Sequence, residues 1–272
     1  MRSNTTVVYC AIDNLITTAN KALTGFPEFL EGLGEANIPF VSVTARSRLQ
    51  FDATLRKYGL GHPFVTEGGC GVCMPEGYFN LKPPRSLRLG RFTCIPVAAP
   101  QPAAEEMLEL LAEETSIEVA ALRKLSPREL SQNTGLPQRE AELVRQRDFD
   151  EMFFFAGASE ADVQRFEKEA GLRKAQVRPR GALWSLAVGA NLGACVRDLA
   201  HLYQRSFRAN PLNIGIATTE EAGELFPACD RCLLFSSRDA EEPTVAGKFK
   251  TLPLFSANTW ELALEGILNR EF

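Results

Sequence analysis

The chain has 272 residues, 45% of them hydrophobic and 24% charged, with a net charge of −4. That length holds one large domain or two modest ones, and the balance of residue types is ordinary for a globular protein. The acidic balance argues against a nucleic-acid partner, because no basic excess supplies a phosphate-backbone footprint. No apolar run is long enough to span a membrane, and the N-terminus lacks the sections of a signal peptide, so the expectation is a cytoplasmic protein without a membrane partner.

Strands and helices alternate through the first third. "TTVVYCAI" reads as a buried strand. In "GFPEFLEGLGEAN", Phe26, Phe29, Leu30 and Leu33 fall on one helical face. "IPFVSVT" is a second strand. "SRLQFDATLRKYG" is a helix with Phe51, Leu55 and Tyr58 on one side and Gly59 as its stop. "HPFVT" is a third strand, and this order predicts βαβ units in a parallel sheet.

The middle changes character. "NLKPPRSLRLGRF", rich in proline and arginine, reads as a hinge into a second domain. "PAAEEMLELLAEET" is an amphipathic helix. Ser126, Pro127 and Glu129 form a helix start, with a serine cap, a first-turn proline and a glutamate three residues after the cap. Gly135 ends that helix and Pro137 opens the next. "EMFFFAG" is a strand, and Ser159 caps a helix that Gly171 stops. The βα alternation resumes with strand "ALWSLAV", helix "NLGACVRDLAHLYQRS", strand "LNIGIA", helix "EEAGELF", strand "DRCLLF" and helix "NTWELALEGILN". The expected architecture is α/β: a Rossmann-like parallel-sheet core from residues 1–80 and 182–272, with an α+β cap inserted at 81–181.

These features together resemble the haloacid dehalogenase superfamily of phosphatases, in the branch with a large cap inserted after the third strand. More narrowly they resemble the mannosyl-3-phosphoglycerate phosphatases. The narrower likeness rests on the cap stretch "LSPRELSQNTGLPQREAELVRQRDFDEMFFF", two short helices leading to an Arg-acid-aromatic strand. "VTARSR" and "YGLGHPFVTEGG" are similar to the superfamily's second motif and the Gly-Gly segment before the cap.

The resemblance implies a first aspartate that attacks phosphorus and a second, two residues on, that serves as acid and base. In "VVYCAIDNL" the nucleophile's place is Ala11, while Asp13 keeps the second place. A methyl group cannot act as a nucleophile. The second motif survives as Thr44, with Arg46 also fitting. In "VGANLGACV" the family's lysine falls on Leu192, and in "IGIATTEEAGELF" its two magnesium-holding aspartates fall on Thr218 and Ala222. Glu220 and Glu221 lie nearby, but their offset from the strand end is expected to point them elsewhere. On the cap, Arg145 and Arg147 match positions that face ligand, and Arg147 is the expected anion contact.

No metal site and no cofactor are therefore expected. The leading expectation is a catalytically inactive member whose core–cap cleft takes a small sugar-like ligand or a protein partner. The alternative is a divergent Mg²⁺-dependent phosphatase acting on a phosphorylated sugar glycerate through Glu220 or Glu221. Asp13 and Thr44 also have plain structural readings, as a turn cap and a strand-end hydroxyl.

The seven cysteines, an odd number scattered along the chain, are expected to be reduced thiols. Two CxxC pairs, Cys70–Cys73 and Cys229–Cys232, invite a zinc site. They are expected at opposite edges of the sheet, too far apart for Zn–S bonds of about 2.3 Å.

Overall fold

The computed structural model describes residues 5–15, 24–80, 83–237, 249–254 and 256–271. The core runs β1 (Thr6–Ala11), α1 (Phe26–Glu35), β2 (Phe40–Val43), α2 (Arg48–Tyr58), β3 (Phe64–Thr66), β4 (Gly71–Pro75), β5 (Leu87–Leu89) and β6 (Phe92–Pro96). The cap follows as α3 (Gln101–Thr115), β7 (Val119–Ala121), α4 (Pro127–Thr134), α5 (Gln138–Val144), β8 (Glu151–Phe155), α6 (Glu160–Leu172), β9 (Ala175–Arg180) and β10 (Leu183–Val188). The chain returns to the core through α7 (Leu192–Phe207), β11 (Leu212–Thr218), α8 (Thr219–Leu225), β12 (Arg231–Ser236), β13 (Phe249–Pro253) and α9 (Thr259–Asn269).

The core sheet has the order β13-β12-β11-β1-β2-β3-β4-β6-β5, parallel from β13 to β3 and antiparallel beyond. Alternation along β1 shows why helices cover both faces. Val8 and Cys10 join Phe26, Phe29, Phe51 and Trp260, from α1, α2 and α9, on one side. Val7, Tyr9 and Ala11 join Leu192, Leu199 and Ala222, from α7 and α8, on the other. β1 has β11 on one side and β2 on the other, so the strand order reverses there. Ligands of open α/β sheets bind at such a switch point, beyond the carboxyl ends of the strands.

The sheets divide the chain differently from the sequence reading. The Pro/Arg-rich stretch is no hinge: β5 and β6 extend the core sheet, β6 pairing with β4 and β5 with β6. "ALWSLAV" belongs to the cap. As β10 it sits between β8 and β9 in the four-stranded antiparallel cap sheet, although the helix that follows it imitates a βα unit. The cap elements thus run from Gln101 to Val188, and the two crossings meet where Ala99 N–H donates to Val188 O at 2.9 Å.

The cysteine reading is corrected as well. Cys73 and Cys94 form a disulfide, because β4 and β6 place them directly opposite with Cα atoms 4.2 Å apart. The third strand is not the sheet edge either, since β4, β6 and β5 lie beyond it. Among the described residues no three His, Cys, Asp or Glu side chains converge to hold a metal ion. No helix among them is long and apolar enough to cross a membrane.

A buried polar joint fixes the cap on the core. Glu67, just past β3 and 2% exposed, accepts from the backbone N–H groups of Asp148 (3.0 Å), Phe149 (2.9 Å) and Asp150 (2.9 Å), in the segment joining α5 to β8. Burial and the Asp150 carboxylate push the Glu67 carboxyl up to about 8. Arg147 donates to both Asp150 oxygens, to Gln50 Oε1 and to Ala45 O. Arg48 meets Asp148 in a two-pronged pair at 3.0 and 3.2 Å.

Candidate functional site

A cleft of about 480 Å³ opens at the switch point, between the carboxyl ends of β1, β2 and β11 and the β9–β10 hairpin of the cap. Ala11 and Leu192 form its floor, Asp13, Thr44 and Glu220 stand at its wall, and Arg180 reaches in from the cap. Two glycines permit close approach here, the first to the cap hairpin and the second to the start of α7. Gly68 has φ +63°, and a Cβ there would sit 2.5 Å from Arg180 Nη2. Gly69 has φ +101°, and a Cβ there would sit 2.7 Å from the Leu192 backbone nitrogen.

Asp13 and Thr44, 31 residues apart in sequence, meet here. Thr44 Oγ1 donates to Asp13 Oδ1 at 2.6 Å, and the Ala45 N–H donates to Oδ2 at 2.6 Å. Arg46 Nε lies 3.4 Å from Oδ1 and Arg46 Nη1 donates to Thr54. Asp13 therefore caps the turn after β2, the neighbouring strand, and Thr44 spends its hydroxyl proton on Asp13. Arg46 holds the carboxylate from outside the cleft lining.

Ala11 and Leu192 are 3% and 6% exposed and belong to the same apolar cluster, so the floor is a continuation of the core. Leu192 opens α7, whose N-terminus is capped by Asn191 Oδ1 accepting from Ala194 N–H at 2.8 Å. Ala222 is fully buried in that cluster too. Thr218 is the N-cap of α8, and the Glu221 carboxylate accepts from its N–H (3.2 Å) and its hydroxyl (2.5 Å). The positions at which the resemblance places metal-holding aspartates thus carry a helix cap and a core methyl.

Four residues are placed differently from expectation. Glu220 and Glu221 do line the cleft, because the capping contact turns Glu221 back toward the strand end and Asn14 Nδ2 bridges the pair at 2.9 and 3.1 Å. Arg147 does not line it: every guanidinium nitrogen of this buried side chain donates within the core–cap joint. Arg145 also lies elsewhere, donating to Arg123 O at 2.9 Å. Sequence reading missed Arg178 and Arg180. Their signal was the basic "RPRG" at a hairpin turn, Gly181 having φ +65°.

These side chains do not fit a magnesium ion, which takes near-octahedral oxygen ligands. An amide N–H₂ donor from Asn14 sits between the two glutamates, and the Glu221 carboxylate is committed to Thr218. Burial pushes the Glu221 carboxyl up to about 7, against the Thr218 hydrogen bonds that favour its ionised form. In the unfolded chain the same group releases its proton near 4.5. Its contribution to stability is therefore complete below about pH 4.5 and is lost as pH rises through 7. Allowing for its partial exposure, the loss is of order 1–2 kcal/mol. Glu221→Gln keeps the cap and is expected to remove this part of the decline in melting temperature between pH 5 and 8. Melting curves across that range, wild type against variant, measure it.

With this geometry in place, the comparisons fit one class. Solved structures of 12–14% identity superpose over nearly the whole chain. A Thermoplasma acidophilum protein covers 97% of this chain and 99% of its own at TM-score 0.65 and 12% identity. A phosphatase of the haloalkanoate (HAD) superfamily from Bacteroides thetaiotaomicron covers 98% and 96% at TM-score 0.63 and 14% identity. A sucrose-phosphatase from Synechocystis, solved with sucrose and phosphate, covers 97% and 98% at TM-score 0.59 and 14% identity. The chain has the haloacid dehalogenase fold with an inserted α+β cap.

Within that fold, two curated relatives are similar in sequence over about two thirds of the chain. A glucosyl-3-phosphoglycerate/mannosyl-3-phosphoglycerate phosphatase of Methanococcoides burtonii is 24% identical over 180 residues, 65% of this chain and 65% of the relative, just under two thirds of either. One of the same description from Persephonella marina is 25% identical over 190 residues, 69% of this chain and 68% of the relative. No family model matches the sequence.

Proposed function

We propose that the cleft binds a sugar-like ligand and does not hydrolyse phosphate esters. The observation that carries the reading is the cleft floor: Ala11 and Leu192, aligned by resemblance with a nucleophile and a lysine, are packed into the apolar core. With those residues there, no side chain attacks phosphorus and no cation neutralises the ester from below. The carboxylates that remain, Asp13 and Glu220, are hydrogen-bond acceptors, which suits sugar hydroxyls and repels phosphate. At about 4 Å and an effective dielectric of about 20, each uncompensated pair of like charges costs several kcal/mol. The relatives' description as phosphatases of glycosyl phosphoglycerates supports a sugar-containing ligand.

A second reading keeps phosphatase activity through Mg²⁺ held by Glu220, and the observation in its favour is that Glu220 and Glu221 do face the cleft beside Asp13. One assay separates the two. Protein incubated with millimolar Mg²⁺ and mannosyl-3-phosphoglycerate is expected to release phosphate no faster than buffer, while mannosylglycerate raises its melting temperature. Sustained metal-dependent phosphate release would establish the second reading instead.

A further inference from the structure

We propose that a second cavity, outside the core–cap cleft, is a binding site for a phosphate group. It holds about 290 Å³ and lies between the first half of α7 and the chain around Arg85, with Pro96 and Val97 at the end of β6 as apolar lining. Arg85, Arg197 and His201 line it. Arg197 and His201 stand one turn apart on α7 and so share a face. The Arg197 guanidinium lies over the first turn of that helix, where Gly193 has no side chain to displace it. The cavity shares no lining residue with the cleft. Leu192 belongs to the cleft and Ala194 to the cavity, so the first turn of α7 stands between them.

Positive charge without a counter-charge points to an anion. Arg88 and Arg91, from the same stretch as Arg85, are paired with Glu76 and Asp52. Among the described residues, Arg85, Arg197 and His201 make no hydrogen bond and no ion pair. One acid, Asp198, lines the cavity with them and is paired with none of them. Two arginines, which stay charged in proteins, and an imidazole N–H donor therefore face a single carboxylate. The backbone adds weight at Arg85. Its φ of +58° is left-handed, which is uncommon for a residue with a Cβ, and such conformations cluster at ligand clamps and other functional sites. The shape of the anion follows from where the donors originate. They reach the cavity from two sides, a turn before β5 and a face of α7. A tetrahedral phosphate offers oxygens to both sides, whereas a carboxylate offers two in one plane. The volume sits near the lower limit for small-molecule pockets, about 300 Å³, so a phosphate ester bound here carries only a small organic group.

The chain has two histidines, so their imidazole proton resonances report on the site directly. The intact chain is titrated with inorganic phosphate and, in parallel, with glycerol 3-phosphate, at an ionic strength held constant with chloride. The His201 resonances should shift saturably. Those of His62, whose ring is hydrogen-bonded to Tyr78 at 2.7 Å, should stay in place. Arg85→Gln and Arg197→Gln, both at exposed positions, should each weaken binding roughly 10-fold or more, the loss of a charge-assisted hydrogen bond. Asp198→Asn should tighten it about 3-fold by removing the opposing charge. Tighter binding of the ester assigns the site to a small phosphate ester, and binding no tighter than that of inorganic phosphate assigns it to the free ion; both support the proposal. A His201 response that does not saturate, or that chloride alone reproduces, overturns it. So does binding that survives both arginine substitutions, which would put the phosphate elsewhere on the molecule.

Discussion

Glu67→Ala is expected to lower the stability of the chain by about 3–5 kcal/mol, from three buried donors left unpaired less what water recovers. The loss arises where the cap meets the core. Three backbone N–H groups, at Asp148, Phe149 and Asp150, lose their acceptor at once. Each buried donor left without a partner costs about 1–3 kcal/mol. The methyl group also leaves a hole too polar to close with apolar atoms and opens a path for water, which recovers part of the cost. Arg147 keeps Asp150, Gln50 and Ala45 O. For a chain of this size the melting temperature should fall by roughly 6–15 °C. Denaturant titration should also split into two transitions, as the cap loosens before the core. A single transition shifted by less than about 1 kcal/mol would mean that the three donors are not held by this carboxylate.

The second large effect is a failed restoration. Ala11→Asp puts a carboxylate where the resemblance places the nucleophile. It is expected to leave phosphate release from mannosyl-3-phosphoglycerate at the buffer rate and to destabilise the chain by about 2–4 kcal/mol. A covalent nucleophile works within a set; in subtilisin, losing the serine or the histidine alone costs about as much as losing the whole triad, near 10⁶ in turnover. In the reading proposed above, the set is absent here. Leu192 offers no charge to an attacking carboxylate, Thr218 and Ala222 offer no ion ligands, and Asp13 and Glu221 add repulsion. The new side chain would enter a site that is 3% exposed, among Val43, Leu192 and Ala217. Melting curves and a phosphate-release assay on the same preparation measure both halves. Activity in the single variant would show that the rest of the machinery is present in another form.

Local structure was legible in the sequence wherever one residue decides it. Ser126 with Glu129 and Ser159 with Asp162 form the capping boxes, and Gly59 and Gly135 end their helices in left-handed geometry. α6, by contrast, runs past Gly171 to Leu172, since nothing there demands a positive φ. What was hidden depends on partners distant in sequence. β5 is only three residues and is arginine-bearing, so alternation had too little length to show itself. β10 precedes a helix and looks like a core βα unit until its pairing with β8 and β9 is known. The Asp13–Thr44 hydrogen bond was not read from the sequence, because it joins residues at the ends of two different strands. Arg180 enters the cleft only because the hairpin folds back over residues more than a hundred positions earlier. The direction of Glu221 was misread because its own capping contact, which turns the side chain round, competes with the strand-end geometry.

The hydrogen bond between Ala99 and Val188 gives the cap a modular character. Both ends of the inserted segment leave and rejoin the core at a single point, as the two arms of a hairpin do. The core sheet's continuity is therefore indifferent to what hangs between them: a turn of a few residues closes the gap as well as a folded unit, at a chain-closure entropy that varies only slowly with length. Roof and floor of the cleft can therefore diverge on separate schedules, each free to change its side chains without breaking the other's fold.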